Sequence, residues 1–276
     1  MAPKFNYYLQ SSNSLFKSVT DYALYIPYPL VFYENCNSSF NHRYSKSINT
    51  LNIAADTFKK CSRKDAACLK DAIQDAFPKL KDGIPELGVP SLDPLHLGNM
   101  VIGAGGQAVG VVQKYQDAEF YGLSNSIIDD FIFDIDGGKI ALNFTAPVAY
   151  FNASYELNGK ILVLPIVGHG QCSFTLVGSH GDIDFKIETY TRNHQKHIRA
   201  TEFTFEIVLD RLIFNLDNLF DGNAELSENM LKVLNENWEP LYREVIGQYA
   251  AVSGKALTKL MNEFFAKVPI SELFLD

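Results

Sequence analysis

The sequence predicts an α+β fold in which a strongly curved antiparallel sheet wraps a long C-terminal helix, with a shorter helix on its N-terminal side. Three patterns indicate this order: helical spacing of apolar residues over 61–80, alternation with a period of two from about residue 100 to 216, and helical spacing again from Ser227 to about residue 267. A strongly twisted sheet can coil around a long helix and bury the apolar faces of both. Such a wrap leaves room for a channel, although the same apolar stripes would also serve a solid core.

The N-terminal part of the chain divides into a leader, a helix and a connector. Residues 1–57 are rich in Tyr, Ser and Asn and show no sustained periodicity, so we expect a poorly ordered leader before a single domain over residues 58–276. The apolar stripe that follows predicts a helix that Pro78 kinks or ends, because proline has no amide proton. Three prolines and two glycines over residues 83–95 predict an extended, stiffened connector.

Alternating apolar residues in the middle of the chain predict an antiparallel meander. Phe131 and Phe133 share one phase before a turn at Asp136-Gly137-Gly138. A second turn is predicted at Asn158-Gly159, because this dipeptide is a strong two-residue hairpin signal.

The last third of the chain predicts one long, bent helix. Ser227 can cap its start, and Pro240 and Gly254 are expected to bend it rather than interrupt it. A helix from there to about residue 267 would be roughly 60 Å long at about 1.5 Å per residue. Pro269 marks its end.

The composition excludes several classes of partner. A net charge of −8 and a pI near 5.3 argue against nucleic acid and anionic membrane surfaces, since both need concentrated Lys and Arg. Apolar runs fall well short of the ~20 residues that cross a bilayer, so stable membrane insertion is not expected. The segment 22–33 is not assigned as a secretory signal, because it contains two prolines.

Enzymatic, cofactor and metal chemistry find no motif with the required context. The segment VIGAGGQAVGVV at 101–112 fits the dinucleotide pattern GxGxxA, but its valines favour a strand where that site needs a helix. We interpret it as a flexible glycine turn at a sheet edge. His194 and His197 lie in a polar segment without a third ligand at regular spacing and are read as solvated loop residues. We therefore predict no catalytic residue, cofactor or metal.

Cysteines and glycosylation motifs bear on the cellular compartment. The spacing of Cys61 and Cys68 leaves a local disulfide and two free thiols as equal alternatives, and Cys36 and Cys172 are the other two cysteines. The pattern N-x-S/T occurs at Asn37, Asn143 and Asn152. These sequons favour the secretory route, because the pattern is the acceptor for N-glycosylation.

Four separated segments carry a family resemblance. They are CSRKDAACLKDAIQDAFPKLKDGIPELGVPSLDPLHL beginning at Cys61, YGLSNSIIDDF at 121–131, NLDNLFDGNAELSENMLKVLNENWEPLYREV at 215–245 and VPISELF at 268–274. In these segments, which occur in the family's order, the chain resembles takeout-like proteins, the insect family that includes the juvenile hormone binding proteins. The resemblance covers roughly residues 58–276.

The resemblance implies a long helix wrapped by a curved antiparallel sheet, akin to half of a bactericidal/permeability-increasing protein, around a hydrophobic tunnel. It also implies secretion, a disulfide between Cys61 and Cys68, and a link to circadian, feeding or chemosensory physiology. The leader departs from the family's usual short signal. Cys172 lacks the later partner that forms a second disulfide in juvenile hormone binding proteins proper, which favours a takeout branch.

We therefore expect an extracellular carrier, not an enzyme, that holds a juvenile-hormone-like terpenoid, a fatty acid or another lipid in its tunnel. The alternative is a secreted signalling protein that docks to an unknown receptor and contains structural lipid only. Aromatic and aliphatic residues with inward phase are the candidate ligand contacts, although each would also serve as plain core. They are Phe131, Phe133, Leu142, Phe144, Tyr155, Phe174, Phe205, Trp238, Tyr242 and Tyr249. The three tyrosine hydroxyls among them are candidates to orient a polar ligand end.

Overall fold

A computed structural model describes residues 57–106 and 108–275 of the chain. The predicted leader, apart from its last residue, lies outside the described residues. In the described part, antiparallel strands form one curved sheet with helices packed on it, which confirms the predicted α+β class. The strands are β1 (Leu95–Ile102), β2 (Val109–Tyr121), β3 (Ile127–Asp134), β4 (Lys139–Ile161), β5 (Leu164–Arg192), β6 (Gln195–Val208) and β7 (Arg211–Leu216).

Two long strands form the spine of the sheet. The 23 residues of β4 and the 29 residues of β5 pair from Lys139 opposite Lys186 to Ile161 opposite Leu164. On the free side of β4, β3 pairs with its first part and β2 with its last part. On the free side of β5, β6 and β7 divide the strand in the same way. The first half of β4 therefore lies in the row β3-β4-β5-β6, and its second half lies in the row β2-β4-β5-β7. The two rows share β4 and β5 and form one curved ribbon.

The α-helices that lie wholly within the described residues are α1 (Ala66–Lys79), α2 (Ala224–Glu236), α3 (Trp238–Lys267) and the short α4 (Ile270–Leu273). The prediction of one long C-terminal helix that begins at Ser227 was wrong in two respects. The helical segment starts earlier, because the side chain of Asn223 caps it by accepting from Leu226 N at 3.1 Å. It is also interrupted at Asn237, whose φ of −110° and ψ of 25° leave the helical region.

The break falls three residues before Pro240. Asn237 Nδ2 donates to Val233 O at 2.8 Å and thereby satisfies a carbonyl at the end of α2. Pro240 then lies in the first turn of α3, where its missing amide proton removes no helical hydrogen bond. The 30 residues of α3 give a helix of about 45 Å at about 1.5 Å per residue.

Gly254 does not interrupt α3 and serves close packing instead. A Cβ at this position would lie 2.3 Å from Cδ1 of Phe203 on β6. The absence of a side chain thus lets the long helix approach the sheet, and α3 packs mainly on β6.

The hairpin between β4 and β5 turns later than predicted. Asn158 and Gly159 continue β4, and the two-residue turn is Leu162-Val163, with Leu162 at a φ of 54°. A Cβ at Gly159 would lie 2.3 Å from Gly110 O of β2. Gly159 is therefore a site of close strand approach, and pairing with β2 overrides the local turn preference of the dipeptide. The turn predicted at residues 136–138 is confirmed between β3 and β4.

Helix α1 packs on β3. Asp65 caps α1 by accepting from Cys68 N at 3.0 Å, and Pro78 lies in its last turn. The segment 83–95 is more compact than the extended connector expected, because Ile84 and Val89 exchange backbone hydrogen bonds of 2.7 and 3.1 Å around a short 3-10 turn.

Candidate functional site

A cavity of about 540 Å³ lies inside the molecule, so the apolar stripes of helix and sheet do not meet completely. Its lining on the spine strand β4 begins at Ile140 and ends at Ile161, close to the two ends of that strand. The opposite wall comes from α1 and α3. Nearly all the side chains that line it are aliphatic or aromatic. Its volume is in the range of small-molecule sites, which are commonly about 300–1,000 Å³.

Most of the predicted ligand contacts line this cavity. They are Phe131, Phe133, Leu142, Phe144, Phe174, Phe205, Tyr242 and Tyr249. The structure does not bring Tyr155 and Trp238 to the lining. The hydroxyl of Tyr155 donates instead to the carbonyl of Asp217 beyond β7, and Gly168 leaves room for it. Trp238 begins α3 and packs beside Tyr242, with ring centroids 6.4 Å apart.

The tyrosine hydroxyls that line the cavity already have protein partners. Tyr242 donates to Ile207 O at 3.1 Å. Tyr249 lies 2.8 Å from the hydroxyl of Tyr115 and 2.9 Å from Gln113 Oε1, and Tyr115 lies 2.8 Å from the same Gln113 oxygen. These three side chains, the Gln113 cluster, connect α3 to β2 by hydrogen bonds inside an apolar space. Burial raises the pKa of Tyr115 and of Tyr249, so both hydroxyls stay protonated at neutral pH.

Sequence reasoning did not identify the Gln113 cluster as part of the site. A signal was present, because Gln113 occupies the same phase of β2 as the buried residues Val109, Val111 and Tyr115. A polar side chain at an inward position of a strand requires a partner across the core. Which residue supplies that partner depends on how α3 lies against the sheet.

The glycine segment before β2 is held by α3 and is not a free turn. Glu244 accepts from Gly106 N at 2.8 Å, Ala108 N at 2.9 Å and Val109 N at 2.9 Å. Burial alone would raise the pKa of Glu244, but these three N–H donors outweigh it and lower the pKa below its ordinary value. The strand that follows, β2, replaces the helix that a dinucleotide site requires.

The cysteines and histidines are placed as follows. A disulfide joins Cys61 and Cys68, as the resemblance implies, while Cys36 lies outside the described residues. Cys172 is buried with a free thiol, and burial raises its pKa to about 12. The interpretation of His197 as a solvated loop residue was wrong: its ring is buried, and Nδ1 donates to Phe265 O at 2.8 Å. Over the described ranges, no cluster of His, Cys, Asp or Glu has the composition to hold a metal ion.

The described glycosylation motifs lie on the spine strand β4. The side chain of Asn143 donates to Asp182 of β5, and Asn152 is half-buried. Glycosylation at either position stays a prediction, and Asn37 lies outside the described residues. In the part of the chain that the structure describes, none of the helices is long and apolar enough to cross a bilayer.

A long helix held in a curved antiparallel ribbon around an apolar cavity defines the class of protein, and comparisons with known proteins identify the family. The family model for haemolymph juvenile hormone binding protein matches residues 45–275. The chain therefore belongs to the juvenile hormone binding protein family, whose members carry small hydrophobic ligands.

Individual relatives agree with this placement. The circadian clock-controlled protein daywake of Drosophila melanogaster is 31% identical over 224 residues, which cover 78% of this chain and 86% of daywake. The juvenile hormone-binding protein of Manduca sexta is 30% identical over 89 residues, 32% of this chain and 38% of that protein. The crystal structure of Takeout 1 from Epiphyas postvittana matches with a TM-score of 0.72 and 30% identity, covering 79% of this chain and 99% of Takeout 1.

Proposed function

We propose that this protein is an extracellular carrier that takes an elongated, largely apolar ligand into the cavity between α3 and the sheet. The observation that carries the proposal is the apolar lining of the cavity, whose residues on β4 extend from Ile140 to Ile161. A ligand that buries on the order of 400 Å² gains about 10 kcal/mol at about 25 cal/mol per Å². After a loss of about 4 kcal/mol in translational and rotational freedom, about 6 kcal/mol remains, which corresponds to a dissociation constant of tens of micromolar.

An extracellular location is supported by two observations. The matching family is named for haemolymph, and the Cys61–Cys68 disulfide is of a kind that persists in oxidising compartments. Expression of the complete coding sequence in insect cells, with the medium and the cells assayed separately, tests the proposal. Protein found only inside the cells, with Cys61 and Cys68 reduced, would refute it.

A physiological role under clock control is supported by the likeness to daywake, whose name describes it as circadian clock-controlled. Transcript measurements over a light–dark cycle and in constant darkness test this point independently of ligand binding. Constant transcript levels under both conditions would count against it.

The carrier proposal is tested by measuring whether a ligand exchanges into the cavity, and whether a bulky side chain in the lining prevents its binding. Delipidated protein is titrated with a fluorescent fatty-acid probe, and solvent extracts of the protein as purified are examined by mass spectrometry. Ala149 lines the cavity, whereas its neighbour Val148 is exposed. Ala149→Trp should weaken probe binding about tenfold or more, because the indole occupies ligand space, while Val148→Trp should bind as the wild type does.

The same experiment separates a carrier from a protein that docks to a receptor with structural lipid. Exchangeable ligand and a block specific to Ala149→Trp support the carrier. A lipid that does not exchange, or probe binding that both tryptophan variants leave unchanged, would refute it. Circular dichroism and the melting temperature of each variant show that loss of binding is not loss of folding.

A further inference from the structure

Two serine hydroxyls line the apolar cavity without a hydrogen-bond partner in the described part of the chain. Ser126 and Ser179 are each 2% exposed, both line the cavity, and the Oγ atom of each is buried and unpaired. Buried polar groups in folded proteins nearly always have a partner. Two exceptions on the wall of one cavity point to a partner that residues 57–106 and 108–275 do not supply.

The sheet register places the two hydroxyls in one row. Ala146 of β4 pairs with Ser179 of β5, and Thr145 pairs with Ile127, the first residue of β3. Ser126 precedes Ile127 in extended backbone, so the same register puts it beside Ala146 on the other side. Ala146 is buried and also lines the cavity. Because neighbouring strands lie about 4.8 Å apart, the two serine Cα atoms flank the Ala146 methyl group at roughly 10 Å from each other.

Both backbone hydrogen-bonding groups of Ser126 have partners, and its side-chain hydroxyl does not. Ser126 N donates to Leu123 O at 3.1 Å, and its carbonyl accepts from Gln74 Nε2 of α1, also at 3.1 Å. Gln74 Oε1 in turn accepts from Ile128 N at 2.7 Å. Helix α1 therefore clamps the start of β3 through Gln74 and holds Ser126 against the cavity.

The wall near the serine pair selects against an ionised ligand group. Phe144 and Ala146 form an apolar cluster there, and Ile73 and Phe77 of α1 pack against it. Among the described lining residues the single charged side chain is Lys59, which is exposed to solvent and precedes α1, outside the strands and the helix that form this part of the wall. An ionised carboxylate beside Ala146 would thus be desolvated without a counter-ion, whereas an uncharged oxygen needs only the donors present.

We infer that Ser126 and Ser179 form a polar subsite in which either hydroxyl can donate a hydrogen bond to an uncharged oxygen, such as that of an ester or ketone, set within the length of an otherwise apolar ligand. This inference rests on the proposed function, because it assumes that the cavity holds a ligand. The Gln113 cluster is not a second subsite of this kind, because its hydroxyls bond to one another and to Gln113. Ala146 lies between the two ends of the lining on β4, so the oxygen belongs to the interior of a ligand that extends along this lining and not to one of its ends.

The test compares two probes of similar length on delipidated protein: heptyl octanoate, which has an ester in the middle of its chain, and hexadecane, which has no oxygen. Each displaces a fluorescent probe from the wild type, from Ser126→Ala, from Ser179→Ala and from the double variant. The wild type should prefer the ester about five- to tenfold, and the double variant should lose that preference while its affinity for hexadecane is unchanged or higher. Long-chain ketones with the carbonyl moved along the chain should bind best at one interior position.

Ser173→Ala is the matched control, because Ser173 lies on β5 as Ser179 does but is not among the residues that line the cavity. It should keep the ester preference. The unliganded double variant should melt at or above the wild-type temperature, since it removes two unpaired buried hydroxyls. If the wild type binds both probes equally and the variants change nothing, the subsite is refuted and the carrier stands. If neither probe binds the wild type, the proposed function itself fails.

Discussion

Replacement of Gly254 by alanine tests whether α3 really lies against β6 as closely as the structure shows. In an ordinary helix the change would stabilise the protein by about 1 kcal/mol, because alanine loses less backbone entropy than glycine. Here the new Cβ would lie 2.3 Å from Cδ1 and 2.5 Å from Cε1 of Phe203. Favourable carbon contacts are at about 3.5–4.0 Å, so helix or ring would have to move by more than about 1 Å.

The aromatic ring has little freedom to make that movement. Phe203 is buried, and its ring centroid lies 5.1 Å from that of Phe185 and 6.1 Å from that of Phe205. We therefore assign the upper part of the overpacking range, about 3 kcal/mol. After the gain of about 1 kcal/mol from helix propensity, Gly254→Ala should lower the free energy of unfolding by about 2 kcal/mol. For a domain of this size the melting temperature should fall by about 4–8 °C.

Urea unfolding and thermal melting followed by circular dichroism measure this effect. Lys255→Gly is the control for helix propensity, because position 255 is exposed and adjacent to Gly254. It should lower the free energy of unfolding by about 1 kcal/mol, the cost of glycine relative to a good helix former at this point of α3. Phe203→Leu combined with Gly254→Ala should cost less than the sum of the two single changes, since the smaller side chain makes room for the new methyl group. A Gly254→Ala variant that is more stable than the wild type by about 1 kcal/mol would refute the close approach.

Three further predictions concern Glu244, the buried thiol and the disulfide. Because the pKa of Glu244 is lowered by folding, its ionised form contributes stability that is complete above the unfolded-state pKa and is lost as the pH falls through the folded-state pKa. The urea midpoint should therefore fall more steeply for the wild type than for Glu244→Gln between about pH 6 and pH 3. Parallel curves for the two proteins would contradict this. Cys172, with its pKa near 12, should resist maleimide in the native protein at neutral pH, and peptide mapping that finds it modified before unfolding would disprove its burial. Alanine at both Cys61 and Cys68, which are 7 positions apart, should lower the free energy of unfolding by about 2.5 kcal/mol in the loop-entropy account, and an unchanged melting temperature would contradict that value.

The strand series could be predicted because alternation is a local property. Phe131 and Phe133 share a phase with each other, and both line the cavity. The same reasoning failed at Asn158-Gly159, where the pairing of β4 with β2 outweighs the turn preference of two residues. The predicted start of the C-terminal helix was wrong because Asn223 and Ser227 are both residue types that cap helices, and local sequence does not decide between them. In the structure Ser227 does not act as the cap, because its Oγ donates to Leu219 O at 2.8 Å and to Asn223 O at 2.7 Å.

The residues of the cavity also divide into those that local alternation predicts and those that depend on contacts between distant parts of the chain. Inward aromatic residues such as Phe144 and Phe174 were identifiable from phase alone, whereas Tyr155 has the same inward phase and yet turns its hydroxyl to Asp217. The Glu244 contact with the glycine segment and the serine pair beside Ala146 involve partners more than thirty positions apart in the chain. Local patterns contain no information about such pairs.

The sequence by itself determined the order of elements, the apolar faces of sheet and helix, and the family to which the chain belongs. Whether those faces would meet in a solid core or enclose a cavity was decided only in the tertiary structure, as was the break between α2 and α3. The physical reason is that burial of a side chain is favourable whether it contacts another side chain or lines a space for a ligand. Periodicity therefore predicts which face is hidden from water but not what fills the interior behind it.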